Sequence, residues 1–310
     1  MIISASYKTD IPAFYGEWFS NRLRAGYCKT VNPYNQRFSH VDLNYGQVDG
    51  FVFWTKNLSP FFKHLAETRE RGFSFIVQYC INNYDRTIEP FIVDYSKSIE
   101  NMQKLADIYG KKVGVWRYDP ILFSSLTPID FHRRNFEKLA KSLAGTTDEV
   151  VISFAQLYKK TLKNINEAAR EYKFFWEDPT DEYKYNFTSE LYQIAKSYGL
   201  QLSICSQKQF LVPNVTGAKC IDAKRLSEVS GKTIYVEQKG NRSDCECFLA
   251  KDIGEYNTCP HGCLYCYAVQ NRNIAKARYK QHNPEGEFLL APKDCSDKKI
   301  SKPVQGNLFS

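Results

Sequence analysis

Short apolar runs alternate with helical stripes over the first two thirds of the chain. Six runs, at residues 2–5, 50–54, 73–78, 113–117, 150–154 and 200–204, read as strands. Several are β-branched or aromatic-rich and apolar on both faces, as buried parallel strands are. Between them lie amphipathic segments. Residues 61–71 place Phe61, Phe62, Leu65 and Ala66 on one face, and residues 96–109 do the same with Ile99, Met102, Leu105, Ala106 and Tyr109. Residues 130–143 and 190–198 follow the same pattern. Pro60 and Pro128 stand near helix starts, where proline is tolerated. Gly72, Gly110 and Gly199 follow helices, where a left-handed cap is common.

Repeated strand–helix units predict an α/β fold with a parallel sheet. Without a Gly-rich dinucleotide turn, the pattern favours a closed or partial β/α TIM-type barrel over a doubly wound sheet. The chain divides into a barrel core at 1–204, a cysteine-rich metal-cluster segment at 205–270 packed on it, and a basic polar tail at 271–310. Barrel chemistry gathers at the C-terminal ends of strands. Those ends carry Thr55, Lys56 and Asn57, then Gln78 and Cys80, then Arg117 and Asp119, then Gln156, and finally Cys205. Lys56, Arg117, Asp119 and Cys80 are candidate catalytic groups, with a packed core cysteine the favoured alternative for Cys80; Thr55, Asn57 and Gln78 are candidate cofactor-binding groups. The Arg117–Asp119 pair also fits a purely structural ion pair.

Composition narrows the class. The 310 residues are 43% apolar and 15% aromatic, which excludes low-complexity disorder and allows a large core. No apolar stretch is long enough for a membrane helix. The N-terminus lacks a basic segment followed by an apolar one, so a cytoplasmic protein is expected. The net charge of +8 suits a polyanionic partner such as nucleic acid.

In a reducing compartment ten cysteines are unsuited to a disulfide framework. Only Cys28 and Cys80 precede residue 200; the others crowd the last third, which points to metal ligation. The sharpest signal is Thr258-Cys259-Pro260-His261-Gly262-Cys263-Leu264-Tyr265-Cys266-Tyr267-Ala268. Three thiolates on one loop can each hold one iron of a cubane and leave the fourth iron open for chemistry. A zinc knuckle with Cys245 or Cys247 as fourth ligand is the competing arrangement. His261 is expected to orient the loop rather than ligate. Cys205, Cys220, Cys245 and Cys247 suffice for a second [4Fe-4S] cluster or a zinc site, or are buried small hydrophobes. Cys28 and Cys295 have no visible partner.

The loop resembles the cluster loop of radical S-adenosylmethionine (AdoMet) enzymes. Within that superfamily it is most similar to the spore photoproduct lyase-like branch, at Cys259, His261, Gly262, Cys263, Tyr265, Cys266, Tyr267 and Ala268. The Thr55-Lys56-Asn57 and Arg117-Tyr118-Asp119-Pro120 strand ends also resemble motifs of that branch. The whole chain resembles an uncharacterised bacterial family with a C-terminal cysteine cluster of this kind. The resemblance implies that Cys259, Cys263 and Cys266 hold a [4Fe-4S] cluster and that its open iron chelates AdoMet. It further implies that one-electron reduction, by a donor such as flavodoxin or ferredoxin, releases a 5′-deoxyadenosyl radical. Tyr265 and Tyr267 become cofactor-binding candidates. The loop departs from the superfamily in lying near the C-terminus rather than after the first strand, and no Gly-Gly-Glu-type segment accompanies it.

The chain has 21 tyrosines, and aromatic faces beside Lys and Arg suit base stacking, although core filling is the commoner explanation. Gln305-Gly306-Asn307-Leu308-Phe309 resembles the peptide with which bacterial proteins dock on the replication sliding clamp; two apolar anchors on a tail can fill a partner's pocket. The expected activity is radical AdoMet chemistry on a nucleic acid base or nucleotide, in modification or DNA repair. The alternative is a non-catalytic iron–sulfur or zinc protein that binds nucleic acid or senses redox state.

Overall fold

The computed structural model describes residues 1–292 apart from Tyr34, Asn241 and Ser243. Cys295 and the Gln305–Phe309 peptide lie outside the described residues. Eight strands form one sheet: β1 (Ile2–Ala5), β2 (Gly50–Thr55), β3 (Phe75–Cys80), β4 (Gly114–Ile121), β5 (Glu149–Phe154), β6 (Gln201–Ile204), β7 (Thr216–Gly217) and β8 (Ala250–Asp252). Their order is β7-β6-β5-β4-β3-β2-β1-β8, and every pairing is parallel. The order follows the chain, with the last strand laid against the first. The ladder does not close, because no pairing among the described residues joins β7 to β8.

Nine helices are described: α1 (Ile11–Phe14), α2 (Gly16–Ala25), α3 (Phe62–Glu70), α4 (Tyr95–Tyr109), α5 (Ile129–Leu143), α6 (Lys159–Tyr172), α7 (Asp181–Ser197), α8 (Ala223–Ser230) and α9 (Arg272–Gln281). Caps fix several ends. Asp94 accepts from Ser96 N at 2.9 Å to start α4, and Asn271 accepts from Ile274 N at 3.0 Å to start α9. The predicted helix at 190–198 begins earlier, at Asp181, where Thr180 supplies the cap. No helix is long and apolar enough to cross a membrane among the described residues.

Alternation along the strands separates two faces. One carries Ile3, Phe51, Phe53, Phe75, Val77, Tyr79, Trp116, Tyr118, Val150, Ile152 and Leu202, and packs into the main core with α1 to α7. The other carries Ile2, Val52, Ile76, Val115 and Val151, and is covered by Ala218, Cys220, Ile221, Ala223, Leu226 and Cys247. Gly50 shows how tightly α8 seats there: a Cβ at that position would stand 2.8 Å from Leu226. The segment 205–270, read from sequence as loops and short elements, thus supplies both edge strands and a helical plug. Strands of two and three residues are too short to show a period.

The segment after α9 wraps the body as far as it is described. Trp18 Nε1 donates to Gly286 O at 3.0 Å, and Lys29 pairs with Glu287 at 2.6 Å.

His132 is fully buried on α5, with Nδ1 2.8 Å from Tyr118 OH and Nε2 3.1 Å from Leu122 O. Burial lowers its pKa to about 4, against an upward pull from the Leu122 carbonyl. An unfolded histidine protonates near pH 6.5. The stability held by neutral His132 is therefore complete above that value and falls as the pH drops towards 4. Denaturant unfolding of wild type and His132→Gln should show their stability difference shrinking by about 2 kcal/mol between pH 7 and pH 5. A pH-independent difference would contradict this assignment.

Candidate metal and substrate site

The C-terminal ends of the strands carry a dense array of polar groups. The cysteine loop rests on it, held from several sides. Leu264 N donates to Ile88 O at 3.1 Å, Arg272 Nε to Pro260 O at 3.0 Å, and Tyr15 OH to Thr258 O at 2.5 Å. The loop turns at Gly262, whose φ is +82° and where a Cβ would stand 2.8 Å from Arg272.

Cys259, Cys263 and Cys266 are partly buried and lie within electrostatic reach of one another. Burial pushes all three thiols upward. Main-chain N–H groups of His261 and Asp10 act on Cys259, and those of Ala268 and Val269 on Cys266, each favouring the thiolate. Lys56 is the cation beside Cys263. N–H groups and a cation directed at sulfur are what a cluster's thiolates require. Among the described residues, no three or more His, Cys, Asp or Glu side chains form a group that could hold a single metal ion. A cubane does not ask for that, because each thiolate holds a different iron and the sulfurs stand farther apart than around one ion.

Beneath the loop lies a buried ion pair. Lys56 Nζ stands 2.8 Å from Glu89 Oε1. Glu89 also accepts from Tyr265 OH, and from Asn82 Nδ2 at 3.0 Å. Burial works against both charges, yet each partner stabilises the other, so the Lys56 pKa is raised and that of Glu89 lowered. Asp10 joins the same group. It caps α1 through Ala13 N at 2.9 Å, accepts from Lys56 N at 2.8 Å, and meets His261 Nε2 at 2.8 Å. His261 thus orients the loop through a carboxylate.

Next along the edge stand Cys80, Asp119 and Arg117. Arg117 is buried and all its contacts are internal: Asp119 at 2.5 and 3.3 Å, Gln78 Oε1 at 3.1 Å and Cys220 Sγ at 2.9 Å. Arg117 and Asp119 form an ion pair, and four of the five guanidinium N–H groups are taken up inside the protein. Cys80 Sγ lies 3.6 Å from Asp119 Oδ1. Burial first, then Asp119, pushes the Cys80 thiol up to about 12. Gln78 is turned inward and also donates to Cys220 O at 3.0 Å. Thr55 and Asn57 serve the turn: Thr55 Oγ1 accepts from Asn57 N at 2.9 Å, and Asn57 Oδ1 from Ser59 N at 3.1 Å.

The remaining cysteines meet on the inner face. Cys205 and Cys220, fifteen positions apart, bring their sulfurs to 3.5 Å. Cys220 contacts Cys247, and Cys247 contacts Cys245, through their thiols. Cys28 is buried in the main core.

A cavity of about 370 Å³ opens beside this edge, bordered by Gln156, Asp178, Lys184, Gln207, Arg242 and Asp244 among others. Arg242 bonds Gln156 Oε1 at 3.0 Å and lies over the rings of Tyr158 and Tyr267, at 6.0 and 5.5 Å. Both rings are exposed. Tyr267, a candidate from sequence, donates its hydroxyl to Tyr7 O at 2.6 Å and presents its face to Arg242. Asp10, Glu89, Asn82 and Arg242 have no sequence signal for a site, apart from Asp10 standing before Ile11-Pro12 as a helix cap.

No curated protein matches the chain. Among solved structures it shows slight similarity to the D-hydantoinase of Bacillus sp. AR9, with 12% identity, 62% of this chain and 39% of that one covered, and a TM-score of 0.29. A second D-hydantoinase gives 10% identity, coverage of 76% and 45%, and a TM-score of 0.32. The dihydropyrimidinase of Brevibacillus agri NCHU1002 gives 11%, coverage of 72% and 41%, and a TM-score of 0.28. The chain spans less than half the length of each, and likenesses this slight have no bearing on its site. Residues 2–268 match the family described as a domain of unknown function, DUF1848, and the chain belongs to that family.

Proposed function

We propose that this protein is a radical AdoMet enzyme acting on a base of a nucleic acid, at the C-terminal edge of a β/α barrel open along one seam. The observation that carries the reading is the loop of Cys259, Cys263 and Cys266, with main-chain N–H groups directed at two of its sulfurs and Lys56 beside the third. That donor set fits a [4Fe-4S] cluster with one iron left free of protein ligands. When bound, the cluster and AdoMet supply one-electron chemistry and a 5′-deoxyadenosyl radical for hydrogen abstraction.

The chain's own groups do the rest. The Lys56 ammonium offsets thiolate charge in a poorly hydrated place, and Glu89, Tyr265 and Asn82 hold it there. Asp10 and His261 fix the loop against α1. Cys80, on the same edge, is the thiol available to return a hydrogen atom. Tyr158, Tyr267 and Arg242 offer a platform on which a base stacks, and the neighbouring cavity has amide groups for its polar edge. The basic balance of the chain favours the phosphates.

Two experiments test this. After anaerobic reconstitution with iron and sulfide, reduced protein should convert AdoMet to 5′-deoxyadenosine, and Cys259→Ala, Cys263→Ala and Cys266→Ala should each abolish it. Cleavage that persists in all three variants excludes the loop as the cluster site; tightly bound zinc without cleavage supports the non-catalytic alternative. Tyr158→Ala should weaken binding of a fluorescent single-stranded oligonucleotide by about tenfold, as expected for a lost base–aromatic stack. Unaltered anisotropy titrations at fixed salt would remove the stacking platform from the account.

A further inference from the structure

The second group of cysteines sits where, among the described residues, the sheet stays open between β7 and β8. Cys205 follows β6 and Cys220 follows β7, while Cys245 and Cys247 precede β8. The two sides of the unpaired seam therefore each contribute two thiols. Between them runs a sparse set of contacts: Phe248 N donates to Ile221 O at 3.0 Å, and Ile221 N to Cys247 Sγ at 3.4 Å.

We propose that Cys205, Cys220, Cys245 and Cys247 bind one zinc ion, which fastens the seam between β7 and β8. The spacing of Cys205 and Cys220 fits a single ion better than a second iron–sulfur cluster. Four thiolates at about 2.3 Å from a tetrahedral zinc lie about 3.8 Å from one another. Cys205 Sγ and Cys220 Sγ are 3.5 Å apart, and Cys220 neighbours Cys247, which neighbours Cys245. The sulfurs of a cubane stand farther apart, one to each iron. The surroundings suit bound thiolates. Arg117 Nη1 lies 2.9 Å from Cys220 Sγ, and Ile221 N–H meets Cys247, so two of the four sulfurs already have donors. Among the described residues no three of these thiols already surround one point. Binding therefore requires their side chains to draw together. Each thiol gives up its proton to solution as the ion enters. A metal here also explains why four thiols crowd a face otherwise lined by Ile2, Val52, Ile76, Val115 and Val151.

The test is independent of the radical chemistry. The full chain carrying Cys259→Ala, Cys263→Ala and Cys266→Ala together should be purified and its metals measured. About one zinc per chain is expected, as for a four-thiolate structural site. Adding Cys220→Ser and Cys247→Ser should remove it. Since that variant can fail to fold, the chain with these four cysteines intact should also be stripped of metal and titrated with Co(II). A tetrahedral tetrathiolate spectrum, with strong sulfur-to-cobalt charge transfer, is expected. The proposal is overturned by zinc retained without Cys220 and Cys247, by iron and sulfide in place of zinc, by a Cys205–Cys220 disulfide in reduced preparations, or by cobalt that shows no thiolate bands.

Discussion

The site depends on one buried ion pair. Lys56 and Glu89 lie beneath the cysteine loop with side chains 12% and 3% exposed. Desolvating two charges is costly, and removing one partner of such a pair typically costs about 3–5 kcal/mol because the other charge is stranded. The pair is retained because each charge has further partners. Glu89 is bound by Tyr265 and Asn82, and Lys56 faces Cys263. Through Tyr265, the same carboxylate ties the loop to the body. The cation that stabilises the thiolates and the anchor that positions them are thus one unit.

From that unit the edge reads as a continuous sequence of contacts. Lys56 is next to Cys80, Cys80 to Asp119, Asp119 to Arg117, and Arg117 to Cys220. The two groups of cysteines are therefore the ends of one polar array laid across the sheet. Its middle is closed on itself, since four N–H groups of the buried Arg117 go to Asp119, Gln78 and Cys220. Room for a ligand lies to the side, in the cavity that Arg242 borders, and the same guanidinium lies over two exposed tyrosines. Helices α1 to α7 pack on one face of the sheet, where Tyr265 of the loop joins their core, and the other face is covered by α8 and Cys220 and Cys247.

Six strands of the sheet, β1 to β6, were legible because each is an apolar run bounded by turn residues, and a run of that kind reports burial directly; the five-residue pair Tyr27–Val31 and Phe38–Asp42, largely polar, was not. Boundaries moved by a few residues where polar strand ends continue the ladder, as at Arg117–Ile121 in β4. β7 and β8 were not legible, being two and three residues long. Nor was α6: its buried residues are few, Thr161, Ile165 and Ala168, within a stretch of charges. The cysteine loop declared itself through spacing alone. Glu89 and Asp10 did not, because a single carboxylate gains its meaning only from neighbours brought by the fold. The meeting of Cys205 with Cys220 was equally hidden, since only the pairing of β6 with β7 brings them together.

The central claim is that three thiolates of one loop leave a metal position that AdoMet occupies. The most direct measurement is electron paramagnetic resonance of the anaerobically reconstituted, reduced protein, recorded with and without AdoMet. The account predicts the signal of a reduced [4Fe-4S] cluster, with g values that shift when AdoMet is added. A cluster signal unchanged by saturating AdoMet, or no cluster signal from protein with its full iron content, would contradict it.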